Sequence, residues 1–218
     1  MVKKASIKNN TKSNDDSIHV TDEKINSITH LFALIIFVPL SVLLIIESNN
    51  AWEYVGYSIY ATGVIMLFLF STLHHSIKNK TLQILDYCSV FLLIAGTFTA
   101  FAFMLRTPTA FVIFGTVWLF SIIGITLKLL IKISKYFTNT MYITLGWLAV
   151  FLAIPLYEIV NLTSVILLGL GGIVYSIGFT VYCLEKPNLI KGKFGFHEIW
   201  HILVIIAAFL HWLALYLA

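Results

Sequence analysis

Charge is what this sequence has least of. Only 11% of its 218 residues are Asp, Glu, Lys or Arg, against roughly a quarter in a soluble domain. With 59% hydrophobic residues, the chain cannot build a polar surface around a core, so lipid must cover most of its outside. Cysteine is nearly absent. Cys88 and Cys183 both fall in apolar runs and read as small packing residues, not as a disulfide or redox pair. The basic residues do not cluster with exposed aromatics, so the net charge of +4 excludes a nucleic-acid groove and no nucleic-acid partner is expected. No internal repeat is visible. The first 27 residues are polar (MVKKASIKNNTKSNDDSIHVTDEKINS), so no cleavable secretory signal is expected and the first membrane helix should act as the targeting signal.

Long apolar runs are what the sequence has most of. Spanning hydrocarbon takes about 20 apolar residues in helix, and seven segments qualify: Ile28–Ile46, Tyr54–Ile77, Ile84–Leu105, Thr109–Ile131, Thr140–Tyr157, Leu162–Leu184 and Phe196–Leu217. The expected fold is all-α, a single seven-helix membrane domain over residues 21–218 preceded by a disordered arm, 1–20. A short amphipathic lead-in is expected over 21–27. Thr21 would be its N-cap, Asp22 and Glu23 would complement the dipole in its first turn, and Val20 and Ile25 would form a hydrophobic staple.

Orientation follows from the Lys/Arg asymmetry. The amino-terminal arm carries Lys3, Lys4, Lys8, Lys12 and Lys24. The second connection has Lys78 and Lys80, the fourth Lys128, Lys132 and Lys135, the sixth Lys186, Lys191 and Lys193. Every basic residue but Arg106 lies on one side. The amino terminus is therefore expected inside and the carboxyl terminus outside, in a multi-pass protein of the cell membrane.

The polar intramembrane residues gather at that same inner level. Ser71, His74 and His75 close the second span, Asp86 opens the third, and His197, Glu198 and His201 open the seventh. His197 and His201 are i and i+4, about 6 Å apart along one helix face, a spacing that lets two imidazoles reach one cation. His75 can supply a third nitrogen, and Ser71 shares its face. Three histidines with an open fourth position make a catalytic-type zinc site, at which a water is acidified. Asp86 could hold that water or take its proton, and Ser71 could hydrogen-bond the water, a ligand or a substrate carbonyl. A buried carboxylate among imidazoles would be costly in lipid without such partners.

Plainer readings apply elsewhere. His30 and His211 read as interfacial residues reaching toward headgroups. His74 sits about 100° from His75 around the helix, so both are not expected to face one point. His197–His201 also matches H-E-x-x-H, the metalloprotease pattern with Glu198 as base. An intramembrane protease would place an aspartate ligand after that motif, whereas here little but apolar sequence follows, so a protease is not expected.

Several segments together resemble the hemolysin III family, the bacterial branch of the progestin and adipoQ receptor superfamily. They are EKINSITH (23–30), STLHHS (71–76), Leu85-Asp86 with FLLIAGTFTAF (91–101), GGIVYSIGFTVY (171–182) and FGFHEIWH (194–201). The resemblance implies seven helices with the amino terminus inside. It also implies a zinc ion near the inner face held at His75, His197 and His201, with Asp86 and Ser71 beside it. Related alkaline ceramidases hydrolyse lipid amides with a similar set, and bacterial members are named hemolysins and linked to membrane lipid homeostasis. His74 departs from a common tyrosine, Tyr87 from a common histidine and Ala100 from a common proline. The implied function is zinc-dependent hydrolysis of a lipid amide or ester at the cytoplasmic leaflet, with membrane lipids as partners. The alternatives are a membrane sensor with structural zinc and a pore-forming hemolysin, the last opposed by the apolar outer two-thirds of most helices.

Overall fold

The computed structural model describes residues 23–190 and 193–218, the side chain of Ile154 excepted. The expected arm 1–20, the cap at Thr21, Asp22, the Val20 half of the staple and Lys191 lie outside the described residues. Within them, seven helical spans are long and apolar enough to cross a bilayer, as the hydropathy predicts. There is no strand among the described residues, only a lone antiparallel bridge between Ile190 and Phe194.

The helices are α1 (Glu23–Ile46), α2 (Ala51–Ser76), α3 (Lys80–Leu105), α4 (Pro108–Thr126), α5 (Lys135–Trp147), α6 (Val150–Ile159), α7 (Leu162–Leu184) and α8 (Phe196–Tyr216). A π-helical turn, Leu127–Ile131, extends α4. Residues 23–27 run into the first span without a break, as part of α1. Short polar residues start the helices after the loops. Asn50, Asn79, Thr107, Ser134 and Asn161 each accept a hydrogen bond from a backbone N–H of the first turn, satisfying donors that the helix itself leaves orphaned.

The fifth span departs from the hydropathy reading. It begins at Lys135 instead of Thr140 and consists of two helices, α5 and α6. Between them the backbone tightens. The N–H groups of Leu148, Ala149, Phe151 and Leu152 each donate to the carbonyl three residues back, at 3.0–3.1 Å. Pro155 lies just beyond, inside α6. Its ring crowds the carbonyl four residues earlier and it has no N–H to donate. A break ahead of it is the physical response.

Packing centres on α3, the most enclosed span. Its closest partner is α2, because glycines let the two backbones meet. A Cβ at Gly63 would lie 2.8 Å from the Leu92 carbonyl oxygen, and one at Gly96 3.0 Å from that of Ile59. Without a hydrophobic drive between helices in lipid, such close approach supplies the association. Buried polar ends tie the bundle further. Tyr60 donates to the Ala208 carbonyl at 3.2 Å, Trp212 to that of Leu40 at 2.9 Å, and Trp118 to the Thr99 hydroxyl at 2.8 Å. Large apolar residues such as Phe32, Ile35 and Phe151 face outward, the surface that lipid requires and water would not tolerate. This arrangement brings the start of α1, the end of α2 and the starts of α3 and α8 to one end of the bundle.

Candidate metal centre

Local structure sets the first pair. α8 follows Gly195, whose N–H donates to the Glu198 carboxylate at 2.8 Å. Glu198 is fully buried and spends one oxygen on this cap, so its nearest role is to start the helix that carries the histidines. Its neighbours His197 and His201 then lie one turn apart, edge to face, with ring centroids 4.9 Å from each other. From α2, the His75 ring lies 5.0 Å from His197 and 4.8 Å from His201. One ligand nitrogen from each ring falls within 4.8 Å of the other two.

The donor set fits a cation of zinc's type. Zn–N bonds of about 2.0–2.1 Å hold tetrahedral nitrogens about 3.3 Å apart, so small ring movements close this set on one ion. His201 is 2% exposed, and its Nδ1 has no hydrogen-bond partner. Buried polar atoms are normally partnered, and a nitrogen ligand set is one way to use them.

The other residues singled out in the sequence adjoin this triangle. Asp86 on α3 forms a second possible ligand group with His74 and His75, again with ligand atoms within 4.8 Å. Ser71 is buried and lies beside the Asp86 carboxylate. His75 is thus common to both groups. His74 corrects the angular argument from the sequence. Its ring sits 4.8 Å from that of His75, because at a helix end the side chains bend toward a common point despite their separation around the axis.

Two histidines depart from the interfacial reading. His30 is 3% exposed and stacks on His201, with centroids 3.8 Å apart and planes at 24°. Its other neighbour is the edge of Phe68, at 5.2 Å. It is a wall of the site, brought there because α1 lies against α2 and α8. His211 does not reach for headgroups either. Its Nε2 faces the Leu168 carbonyl at 3.3 Å, and its ring fills the space over Gly171, where a Cβ would come within 2.3 Å of it. Both cysteines are free, as expected. Cys88 is buried as a packing residue should be, whereas Cys183 is exposed on α7.

The residue that sequence reasoning assigned elsewhere is Glu23. Expected only to complement a helix dipole, its carboxylate instead pairs with Nδ1 of His75, across 52 positions of sequence. The one signal available was spacing: Glu23, Asn26 and His30 share a face of α1.

The Haemolysin-III related family profile matches residues 18–212. A Hemolysin-3 homolog of Bacillus subtilis (strain 168) is 33% identical over 195 residues, covering 85% of this chain and 89% of its own. Hemolysin-3 of Bacillus cereus is 35% identical over 195 residues, covering 85% and 86%. The adiponectin receptor protein of Drosophila melanogaster is 27% identical over 212 residues, 84% of this chain and 48% of the receptor. With its seven apolar spans, the chain is a multi-pass integral membrane protein that belongs to the Haemolysin-III related family.

Proposed function

We propose that this protein is a zinc-dependent hydrolase of a lipid amide or ester bond, working at the cytoplasmic leaflet. The observation that carries the reading is the triangle of His75, His197 and His201 with Asp86 and Ser71 beside it at one end of the bundle. The three imidazoles would hold the ion. Bound zinc would supply Lewis acidity, polarising a carbonyl and acidifying a water. Asp86 would take the proton from the attacking water at its carboxylate and return it to the leaving group, the two halves of general acid–base catalysis. Ser71 would fix the rotamer of that carboxylate. His30 and Tyr182, whose ring lies 5.6 Å from His197, would keep bulk water from the imidazoles. The lysine bias toward one side of the membrane supports placing this end in the cytoplasm.

A cleft of about 240 Å³, lined by Lys24, Ser27, Ile28, His75 and Ser76, leads to His75 between α1 and α2. Of the residues proposed to act, His75 lines it. It is also smaller than the about 300–1,000 Å³ of common ligand sites, and that favours a second reading, a membrane sensor whose zinc is structural. Lipid turnover by the purified protein separates the two. The hydrolase reading expects Asp86→Asn to keep its zinc and lose about 100-fold or more in rate. Turnover that survives the double substitution His197→Ala/His201→Ala would refute it, and no turnover on any ceramide, acylated amine or glycerolipid would leave the sensor.

A further inference from the structure

The pairing of Glu23 with His75 adds a residue to the centre that its ligand geometry alone does not require. α1 meets the imidazole triangle along one stripe. His30, at 3% exposure, stacks on His201. Asn26 is fully buried one turn earlier, with its backbone carbonyl toward the His201 ring. Glu23, one turn earlier again, reaches across to Nδ1 of His75. The pair is shielded on the imidazole side, where the His75 side chain is 2% exposed and that of Glu23 28%. A carboxylate that merely complemented the dipole of α1 would lie along its own first turn. This one reaches a side chain on another helix.

We propose that Glu23 is a positioning residue for the metal centre. Its carboxylate accepts the Nδ1–H of His75, fixes that tautomer, and leaves Nε2 as the nitrogen available to a cation. The inference rests on the metal reading above and deepens it. The chemistry is general: a metal-binding imidazole that donates its other N–H to a carboxylate is held in orientation and made a stronger donor. It also settles the sharing of His75. With Nδ1 engaged, His75 offers one nitrogen. The triangle with His197 and His201 and the group with His74 and Asp86 therefore describe alternative positions for one ion, not two ions at once. The first helix thereby becomes part of the site, since its first turn cannot shift without turning His75.

The test is zinc affinity of the full-length protein in detergent at one fixed pH, read by competition with a chromophoric chelator. Wild type is compared with Glu23→Ala and Glu23→Gln, and the melting temperature of each metal-free form is recorded. Glu23→Ala should bind zinc about 10–100-fold more weakly. Glu23→Gln, whose amide oxygen still accepts the Nδ1–H, should recover much of that loss. The metal-free Glu23→Ala protein should melt within about 2 °C of wild type. Affinity of Glu23→Ala within about threefold of wild type overturns the inference. So does a metal-free form that melts well below wild type without rescue by glutamine, which would assign Glu23 to helix packing. A wild type that holds no zinc is a different result: it removes the metal reading, and this inference with it.

Discussion

Two ends of α8 carry inward-facing histidines with opposite surroundings. His201 stands among His197, His75 and His30, with ring centroids between 3.8 and 4.9 Å away. His211 lies ten residues on, about 15 Å along the axis, with one carbonyl at 3.3 Å and the edge of Tyr175 at 5.4 Å. His201 is buried and His211 half-buried, but that does not distinguish them, because His197 of the triangle is half-buried as well. What does is the number of nitrogens that converge. One imidazole over a glycine with a backbone partner is a satisfied packing element. Several imidazoles at ligand spacing are unfavourable as plain neighbours, because each helps take the others out of water, and here Nδ1 of His201 is left without a hydrogen-bond partner. They make sense around a cation.

The two histidines should differ most in bound metal. His201→Ala should drop zinc from about one ion per chain to below about a tenth, since two imidazoles cannot sustain a structural-grade site. His211→Ala should leave metal content unchanged and instead cost about 2–3 kcal/mol of stability through the cavity and the lost hydrogen bond. Metal analysis beside thermal unfolding reads both. Equal metal loss in the two variants would show that any histidine on α8 disturbs the bundle alike.

A smaller effect sharpens the packing half of the contrast. Gly171→Ala puts a methyl group against the His211 ring and should cost about 1–3 kcal/mol by overpacking. Gly172→Ala, with nothing within 4 Å of its Cβ position, should fall within about 0.5 kcal/mol of wild type. Neither should release zinc. Unfolding curves that rank the two glycines alike would contradict the place given to His211.

How far the sequence went follows from whether each property is local. The seven spans were legible because hydropathy is summed over one helix at a time. The His197–His201 pair was legible because a single turn sets it. The fifth span was legible as a span but not as two helices, because Pro155 announces a disturbance without saying where the backbone absorbs it. His30 and His211 sit near helix ends, where the interfacial reading is the natural one. Only the packing of α1 on α8, and of α7 on α8 through Gly171, turns them inward. The Glu23 contact depends on where the first turn of α1 lands against the last turn of α2, a relation no local pattern encodes. His74 was placed by angle alone, and side-chain reach at a helix terminus overrode the angle.

Zinc-edge X-ray absorption of the purified protein tests most directly whether three imidazoles from α2 and α8 share one cation. It should give about three nitrogen scatterers with imidazole outer-shell features at about 2.0–2.1 Å and a lighter oxygen contribution, with the imidazole count falling in His75→Ala. Absence of zinc, a sulfur shell, or a spectrum unchanged by His75→Ala would contradict it.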